Sequence, residues 1–599
     1  MIEHKTPDNP LSLDDIFPQL INYPLGRPIK NFLEKATGLS YLSNGYSQLN
    51  TRGQPEDFVQ KAFNSLNISY DFDPTQINNI PQYGATIVVA NHPYGAIDGM
   101  AMIDLLSKHR PDIKVMANGI LKRIREINDI IISVNPYDNN NSRKENARAM
   151  RECILWLKQG GLIFMFPAGD VSSLQLSRLG IYDNTWDTKV ARLAQKTSAS
   201  IVPVHINGRN STVFYLASAI HPRLKTLLLP RQIIKKRGSN IKIRIGRMLS
   251  SKKLSRINDV NRITDLIKYQ TYQLSHKTIL KQTKKTHYSD IIDAIPGYIL
   301  ASEINQLPEQ NKLIDNGEVQ VFYAIKHQIP SVMAEIARLR EISFRSINEG
   351  TGKSSDVDIY DEYYTQLFIW NSQAEEIIGG YRLGLSDNII NTHKESGLYT
   401  HSLFKYKQEF IVNQKPSIEL GRSFVRPEYQ RSFSPLLLLW KGISQFVYQH
   451  PKYCILYGPV SISNDYCTVS KNLLITYLEK NLLNLQLSEQ IKPRSPYKAP
   501  RLKNLQIPDI NNISLEELST LISSFEDDDK GIPVLIRQYL KLGGEILGFN
   551  VDTNFGDCVD GLIRVDLRQT DQNVLAKYMG KDKAVLYRAF HNSRLELAS

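Results

Sequence analysis

The 599-residue chain contains no run of about 18 consecutive apolar residues, the length a helix needs to cross a bilayer. That excludes a many-span membrane protein. The opening stretch, MIEHKTPDNPLSLDD, lacks the apolar core of a signal peptide, so the chain is expected to stay in the cytoplasm. Cysteine is scarce. Cys153, Cys454, Cys467 and Cys558 are scattered with no CxxC pair, which argues against a disulfide framework and a structural zinc site. Acids are scarce in one region: Arg223 to Lys285 carries eighteen Lys and Arg against Asp259 and Asp265. Aromatics are scarce there too, with only Tyr269 and Tyr272, whereas a nucleic-acid surface interleaves stacking rings with its charge. Nucleic acid is therefore not an expected partner.

What is present is ordinary for a folded protein: 42% apolar and 22% charged residues. The length exceeds what a single core supports, so two domains are expected. The net charge of +13 seeks an anionic partner, either a lipid surface or an acidic protein. Each Lys or Arg beside an anionic leaflet contributes about 1 kcal/mol. This predicts a peripheral protein on the inner face of the cytoplasmic membrane.

The order of elements predicts an α/β protein. A β-branched run, Ala85 to Ala90, reads as a buried strand, followed by a helix after Gly99. Strands are predicted at 113–118, 161–170 and 201–208, with helices at 143–158 and around Lys189. Residues 250–320 are polar and basic with breakers at Pro296 and Pro308, which places a boundary near 290 and domains at 1–290 and 291–599. The pattern then restarts. A helix is predicted at 330–347, a hairpin from TQLFIWN and EIIGGYRLGL, strands at 417–427 and 454–463, and a helix between them.

The first candidate site is Asn91-His92-Pro93-Tyr94-Gly95-Ala96-Ile97-Asp98, just after the buried strand. The carboxyl ends of strands are where an α/β sheet presents residues to a ligand. A histidine can take the proton of an attacking hydroxyl, and a carboxylate can hold its other N–H and fix the tautomer. Alone, this spacing is a weak signal, and a satisfied structural histidine is the better reading of it. The string resembles the histidine box of the glycerolipid and lysophospholipid acyltransferases. It is closest to the branch labelled haemolysins and ornithine-lipid O-acyltransferases, which carries NHPxGxxDG; here five residues separate His92 from Asp98, not the usual four. Three further blocks follow in order: residues 117–138, FPAGDVSS at 166–173, and IVPVHINGRNS at 201–211.

The resemblance implies His92 and Asp98 as catalytic residues and Asn91, Gly95, Gly169, Asp170 and Arg209 as substrate contacts. Gly169 suits a close-approach turn. Asp170 is either an acceptor contact or a helix cap. Arg209 is either a bidentate partner for an acceptor carboxylate or a plain surface arginine. The third block's usual Glu and Arg are Ala168 and Val171, which argues for an acceptor without phosphate at that place.

In the second half, Arg345, Asp356, Asp358, Asp361, Arg382, Glu419 and Arg422 recur near short strands. A strand glutamate can act as base towards an ammonium, which must lose a proton before it attacks a thioester. Glu419 and Arg422 are three apart, which in a regular strand puts them on opposite faces. Surface ion pairs are the plainer reading of such a set. The order of Phe344-Arg345, D-x-D-x-x-D (356–361), G-x-x-R (379–382) and E-L-x-R (419–422) resembles the acetyltransferase-like (GNAT) fold of acyl-homoserine-lactone synthases and ornithine-lipid N-acyltransferases. Residues 533–567 resemble that family's C-terminal end. The resemblance implies Glu419 as catalytic and Arg345, Asp356, Asp358, Asp361, Arg382 and Arg422 as substrate contacts. The usual coenzyme A cradle is replaced by Gln430-Arg431-Ser432-Phe433-Ser434-Pro435, without its glycines. This favours acyl carrier protein over coenzyme A as donor.

Together the halves resemble fused, bifunctional ornithine-lipid (aminolipid) synthases. The implied chemistry is N-acylation of an amino acid (ornithine, lysine or glycine) with a 3-hydroxyacyl group by the C-terminal half. O-acylation of that hydroxyl by the N-terminal half follows. No bound cofactor or metal is required. The competing enzymatic reading is a 1-acylglycerol-3-phosphate acyltransferase with an inactive C-terminal half. A haemolysin or basic binding protein is the reading that is not an enzyme.

Overall fold

The computed structural model describes residues 26–598 except 50, 52, 136–139, 176–179, 221, 276–287, 414–415, 431–433, 500–512 and 527. The described residues form two compact units, the first up to residue 275 and the second from residue 288 onward.

The first unit is built on seven strands: β1 (Ser69–Asp71), β2 (Thr86–Ala90), β3 (Ile113–Asn118), β4 (Ile131–Val134), β5 (Leu162–Met165), β6 (Ser200–Asn207) and β7 (Asn240–Ile245). Their order is β1-β7-β6-β2-β5-β3-β4. β2 pairs in parallel with β5 and β6, whereas β7 runs antiparallel to β6. All five residues of β2 are buried. Val88 and Ala90 join a core with Phe63, Met102, Leu105 and Val204. Ile87 and Val89 point to the other face, which explains a run that is apolar rather than alternating. Burying each such side chain contributes about 1.5–3 kcal/mol. Helix α1 (Ala96–His109) follows β2, and α2 (Asn140–Lys158), α3 (Lys189–Thr197) and α4 (Val260–Gln273) cover the sheet further. Among the described residues no helix is long and apolar enough to cross a membrane.

Among the described residues the main sheet of the second unit has eight strands: β8 (Lys312–Asp315), β9 (Val319–Ile325), β10 (Thr365–Asn371), β11 (Glu376–Leu385), β12 (Ser417–Val425), β13 (Ile455–Ile462), β14 (Glu545–Asp552) and β15 (Cys558–Asp566). Their order is β8-β9-β10-β11-β12-β13-β15-β14. Every neighbour is antiparallel except β12 and β13, which pair in parallel only from Ser417–Glu419 against Ile455–Tyr457. Beyond Glu419 these two strands part. Helices α5 (Pro330–Arg345) and α6 (Ser434–Gln449) pack on the sheet.

β12 is not regular. Tyr381 of β11 faces two residues of β12, because Gly380 pairs with Phe424 and Arg382 with Gly421. The extra residue is accommodated at Arg422, whose φ is 48°. This is a β-bulge. It overturns the expectation that Glu419 and Arg422 face opposite ways, since the kink swings Arg422 back to the face of Arg382 and Glu419.

Candidate active sites

The carboxyl ends of three adjacent strands build the first site. The turn after β2 is stitched to the end of β6 by Asn91, whose amide exchanges two hydrogen bonds with Ile206 (2.9 and 2.7 Å). Asn210 Nδ2 donates to Pro93 O at 3.0 Å, and Ser172, after β5, donates its N–H to His92 O at 2.9 Å. Asn91 thus holds the loop.

Gly95 caps α1 with φ 99°, a conformation other residues rarely adopt. Asp98, in the first turn of α1, is fully buried. Its Oδ2 accepts from Tyr94 N (2.8 Å), Gly95 N (2.9 Å) and His92 Nδ1 (3.0 Å). Burial pushes the Asp98 carboxyl up, and the hydrogen bond from His92 and the two amides pull it back. The helix N-terminus favours the anion further. A carboxylate only accepts, so the imidazole proton sits on Nδ1 and Nε2 is left as a base. The imidazole stacks on Phe166 with centroids 3.8 Å apart, and its side chain keeps 16% exposure. The arrangement can deprotonate a hydroxyl delivered to Nε2.

Sequence reasoning missed Asp183. It is buried, accepts from Ser172 Oγ (2.6 Å) and Trp186 Nε1 (3.1 Å), and meets His92 N at 3.5 Å. No motif signals it, because it acts on the backbone of the histidine turn from a separate loop. Gly169 has φ 69°, the turn its identity predicted. Asp170 caps no helix; it pairs with Lys225 at 2.7 Å. Val171, where related blocks carry arginine, is buried with Phe214 and Tyr215. Arg209 lines a cleft with Tyr94, Lys236 and Lys242. Within the second block, 136–138 lie outside the described residues.

In the second unit three arginines and three aspartates interlock. Arg340 grips Asp361 with both Nη atoms (3.0 and 2.9 Å) and reaches Asp356 at 3.1 Å. Arg382 Nη1 meets Asp358 at 2.6 Å and Asp361 at 3.2 Å. Arg422 meets Asp356 at 3.1 Å and Asp358 at 3.4 Å. Burial opposes the charge on Asp361, but Arg340 and Arg382 override it and hold the carboxyl well below its usual range. Arg382 is enclosed by the rings of Tyr360, Tyr364 and Tyr399, and its Nε and Nη2 have no partner among the described residues. Arg345 does not join this network. It pairs with Glu341 at 2.8 Å and donates to the carbonyls of Ser289 and Lys353. Arg340, five residues earlier on α5, takes the place expected of it.

Glu419 is fully buried and accepts from Tyr364 Oη, Tyr399 N (3.1 Å) and Thr400 N (2.6 Å). Burial pushes its carboxyl up, against the hydrogen bonds from Thr400 and Tyr364. A raised proton affinity suits a base, but an amine meets Glu419 only by displacing one of these donors. Near the parted end of β13 lies a second acidic group that sequence reasoning missed. Glu349, 2% exposed, accepts from Ser461 Oγ at 2.9 Å. Burial, with Asp465 and Asp552 nearby, pushes it up to about 7. Buried Asp560 is pushed up by the same causes, with Asp552 and Glu349 as its like-charged neighbours. In the stretch that replaces the coenzyme A cradle, 431–433 lie outside the described residues.

The two folds and their sites define an enzyme with two acyl-transfer units. Residues 36–280 match the profile of an acyltransferase family, and residues 339–441 that of an acetyltransferase (GNAT) domain. The chain is 31% identical over 316 residues to a glycine N(alpha)-acyltransferase of Bacteroides thetaiotaomicron, covering 48% of this chain and 88% of that protein. It is 27% identical over 198 residues to a lyso-glycine lipid O-acyltransferase of Phocaeicola vulgatus, covering 32% of this chain and 68% of that protein. A solved 1-acyl-sn-glycerophosphate acyltransferase from Thermotoga maritima matches at 20% identity and a TM-score of 0.25, over 37% of this chain and 77% of that one. The chain belongs to the family of the glycine N(alpha)-acyltransferases.

Proposed function

We propose that this chain makes a phosphorus-free aminolipid in two steps. The C-terminal unit transfers a 3-hydroxyacyl group to the α-amine of an amino acid. The N-terminal unit then acylates the 3-hydroxyl, with His92 as base and Asp98 holding its tautomer. One observation carries the reading: a single chain has relatives named for both successive steps, an N-acylation of glycine and an O-acylation of the lyso-glycine lipid.

Glycine is the amino acid this favours over ornithine or lysine. A second amine would want a free carboxylate, and Asp356, Asp358 and Asp361 are each already paired with arginine. Buried Val171 supports an acceptor without phosphate. Acyl carrier protein is the proposed donor for both steps, since it brings its own phosphopantetheine and an acidic surface to a basic chain. The proposed place of work is the inner face of the cytoplasmic membrane. Val213 and Leu216 stand exposed on the helix Thr212–Ile220, beside the basic segment, and suit a lipid surface.

The test is expression of the intact chain and of His92→Ala in a host without aminolipids, with total lipids read by mass spectrometry. The intact chain should yield a diacylated glycine lipid, and His92→Ala the mono-acylated form. A change confined to phosphatidate-type lipids would replace this reading with the glycerolipid one.

A further inference from the structure

The end of β6 opens onto a cleft of about 400 Å³, lined by Tyr94, Asn207, Arg209, Lys236, Asn240 and Lys242, with the backbone of Gly208. Three cationic chains line it, and among the described residues no carboxylate does. Among the described residues none of the three forms an ion pair with an acid. Asn207, Arg209, Asn240 and Lys242 are exposed and Lys236 is half-buried, so the cleft is open to solvent and its cationic lining favours an anion.

The cleft and the histidine turn share Tyr94. Tyr94 forms its wall, and Tyr94 N is one of the donors that hold Asp98. The ring is fixed on both sides. Its hydroxyl donates to Asn207 O at 3.3 Å, and Lys236 Nζ stands 4.7 Å from the ring centroid. Gly208 allows this approach, since a Cβ there would lie 1.9 Å from the ring. Lys236 is half-buried, and burial and Arg209 lower its pKa, which an anion between them would reverse.

We propose that this cleft holds the free carboxylate of the acyl acceptor, an N-(3-hydroxyacyl) amino acid, with Asn207 and Asn240 beside the adjoining amide. This rests on the function proposed above. It relocates anion recognition from the turn after β5, where Ala168 and Val171 stand, to the end of β6. Asparagine amides both donate and accept, as an acyl amide requires. A guanidinium and two ammonium groups suit a carboxylate one carbon away. The cleft is large enough for that head group and the start of its chain.

The experiment uses the full-length protein with N-(3-hydroxypalmitoyl)glycine and its neutral twin, N-(3-hydroxypalmitoyl)glycinamide, and a palmitoyl carrier-protein donor. The acid should show a KM about 10- to 100-fold below the amide's, as charge-assisted hydrogen bonds predict. Arg209→Gln and Lys236→Gln should erase that preference by raising the acid's KM to the amide's level, while Arg209→Lys should restore part of it. Equal KM values for acid and amide would overturn the cleft assignment and leave the aminolipid reading standing. A raised donor KM, with acceptor KM unmoved, would give the cleft to the donor's phosphate and also overturn it. Acylation of neither compound by the wild type would sink both.

Discussion

Glu349 offers a sharp test of the buried acidic group. Its carboxyl is pushed from an ordinary 4.5 to about 7. A carboxyl with a raised folded-state pKa binds its proton more tightly when folded. Its cost is therefore absent below about pH 4.5 and grows as pH rises to about 7, above which it is constant. The gap of about 2.5 pH units corresponds to about 3 kcal/mol. Glu349 is 2% exposed, so solvent screening removes little of it. Glu349→Gln keeps the shape and the acceptor for Ser461 Oγ but carries no charge to bury. It should stabilise the second unit by about 1 kcal/mol at pH 5 and about 3 kcal/mol at pH 8. Hydrogen exchange of the β13 and β15 amides in the full-length chain reads this directly. Comparing the two proteins at one pH cancels intrinsic rates, and protection should rise about 100-fold at pH 8. A gain that is the same at both pH values, or a loss at pH 8, would refute the argument.

Asp98→Asn should leave acceptor KM near wild type and lower kcat of O-acylation about 10²- to 10⁴-fold, because the imidazole loses its tautomer control; steady-state kinetics on the hydroxy acceptor checks this. Arg340→Met strips two buried aspartates of a partner and should cost about 3–5 kcal/mol, seen as a lowered urea midpoint. Gly208→Ala should cost about 1–3 kcal/mol by forcing the Tyr94 ring aside, measured in the thermal transition of the first unit.

Much of the architecture was legible in residue order. The strand at 113–118 and the helices α2, α5 and α6 follow apolar spacing closely. β7 was not legible: NIKIRI alternates, but it lies inside the basic segment, where charge masked its period. β8 was hidden in a polar stretch, because an edge strand buries little, whereas β9, VQVFYAI, buries Val321, Phe322 and Ala324 and carries an apolar run that could have found it. At the first site the His92–Asp98 pair was readable because both partners lie in one turn. Asp183 was not, since its partners come from other loops. At the second site the spacing argument failed for Glu419 and Arg422 because it assumed a regular strand. Arg345 was favoured over Arg340 because Arg345 follows Phe344, the pair that the resembled family carries, and only packing shows that Arg340 turns inward.

The Phe166 ring over His92 has an optical and magnetic consequence. Nearly parallel at 3.8 Å and 21°, it places the imidazole protons in the shielded region above an aromatic face. The resonance of His92 should therefore stand upfield together with those of His393 and His450, which stack on Tyr363 and Phe446, and its loss in His92→Ala picks it out as a built-in label. Its shift would move when acceptor or acyl donor enters, so occupancy of the first site can be followed without any added probe.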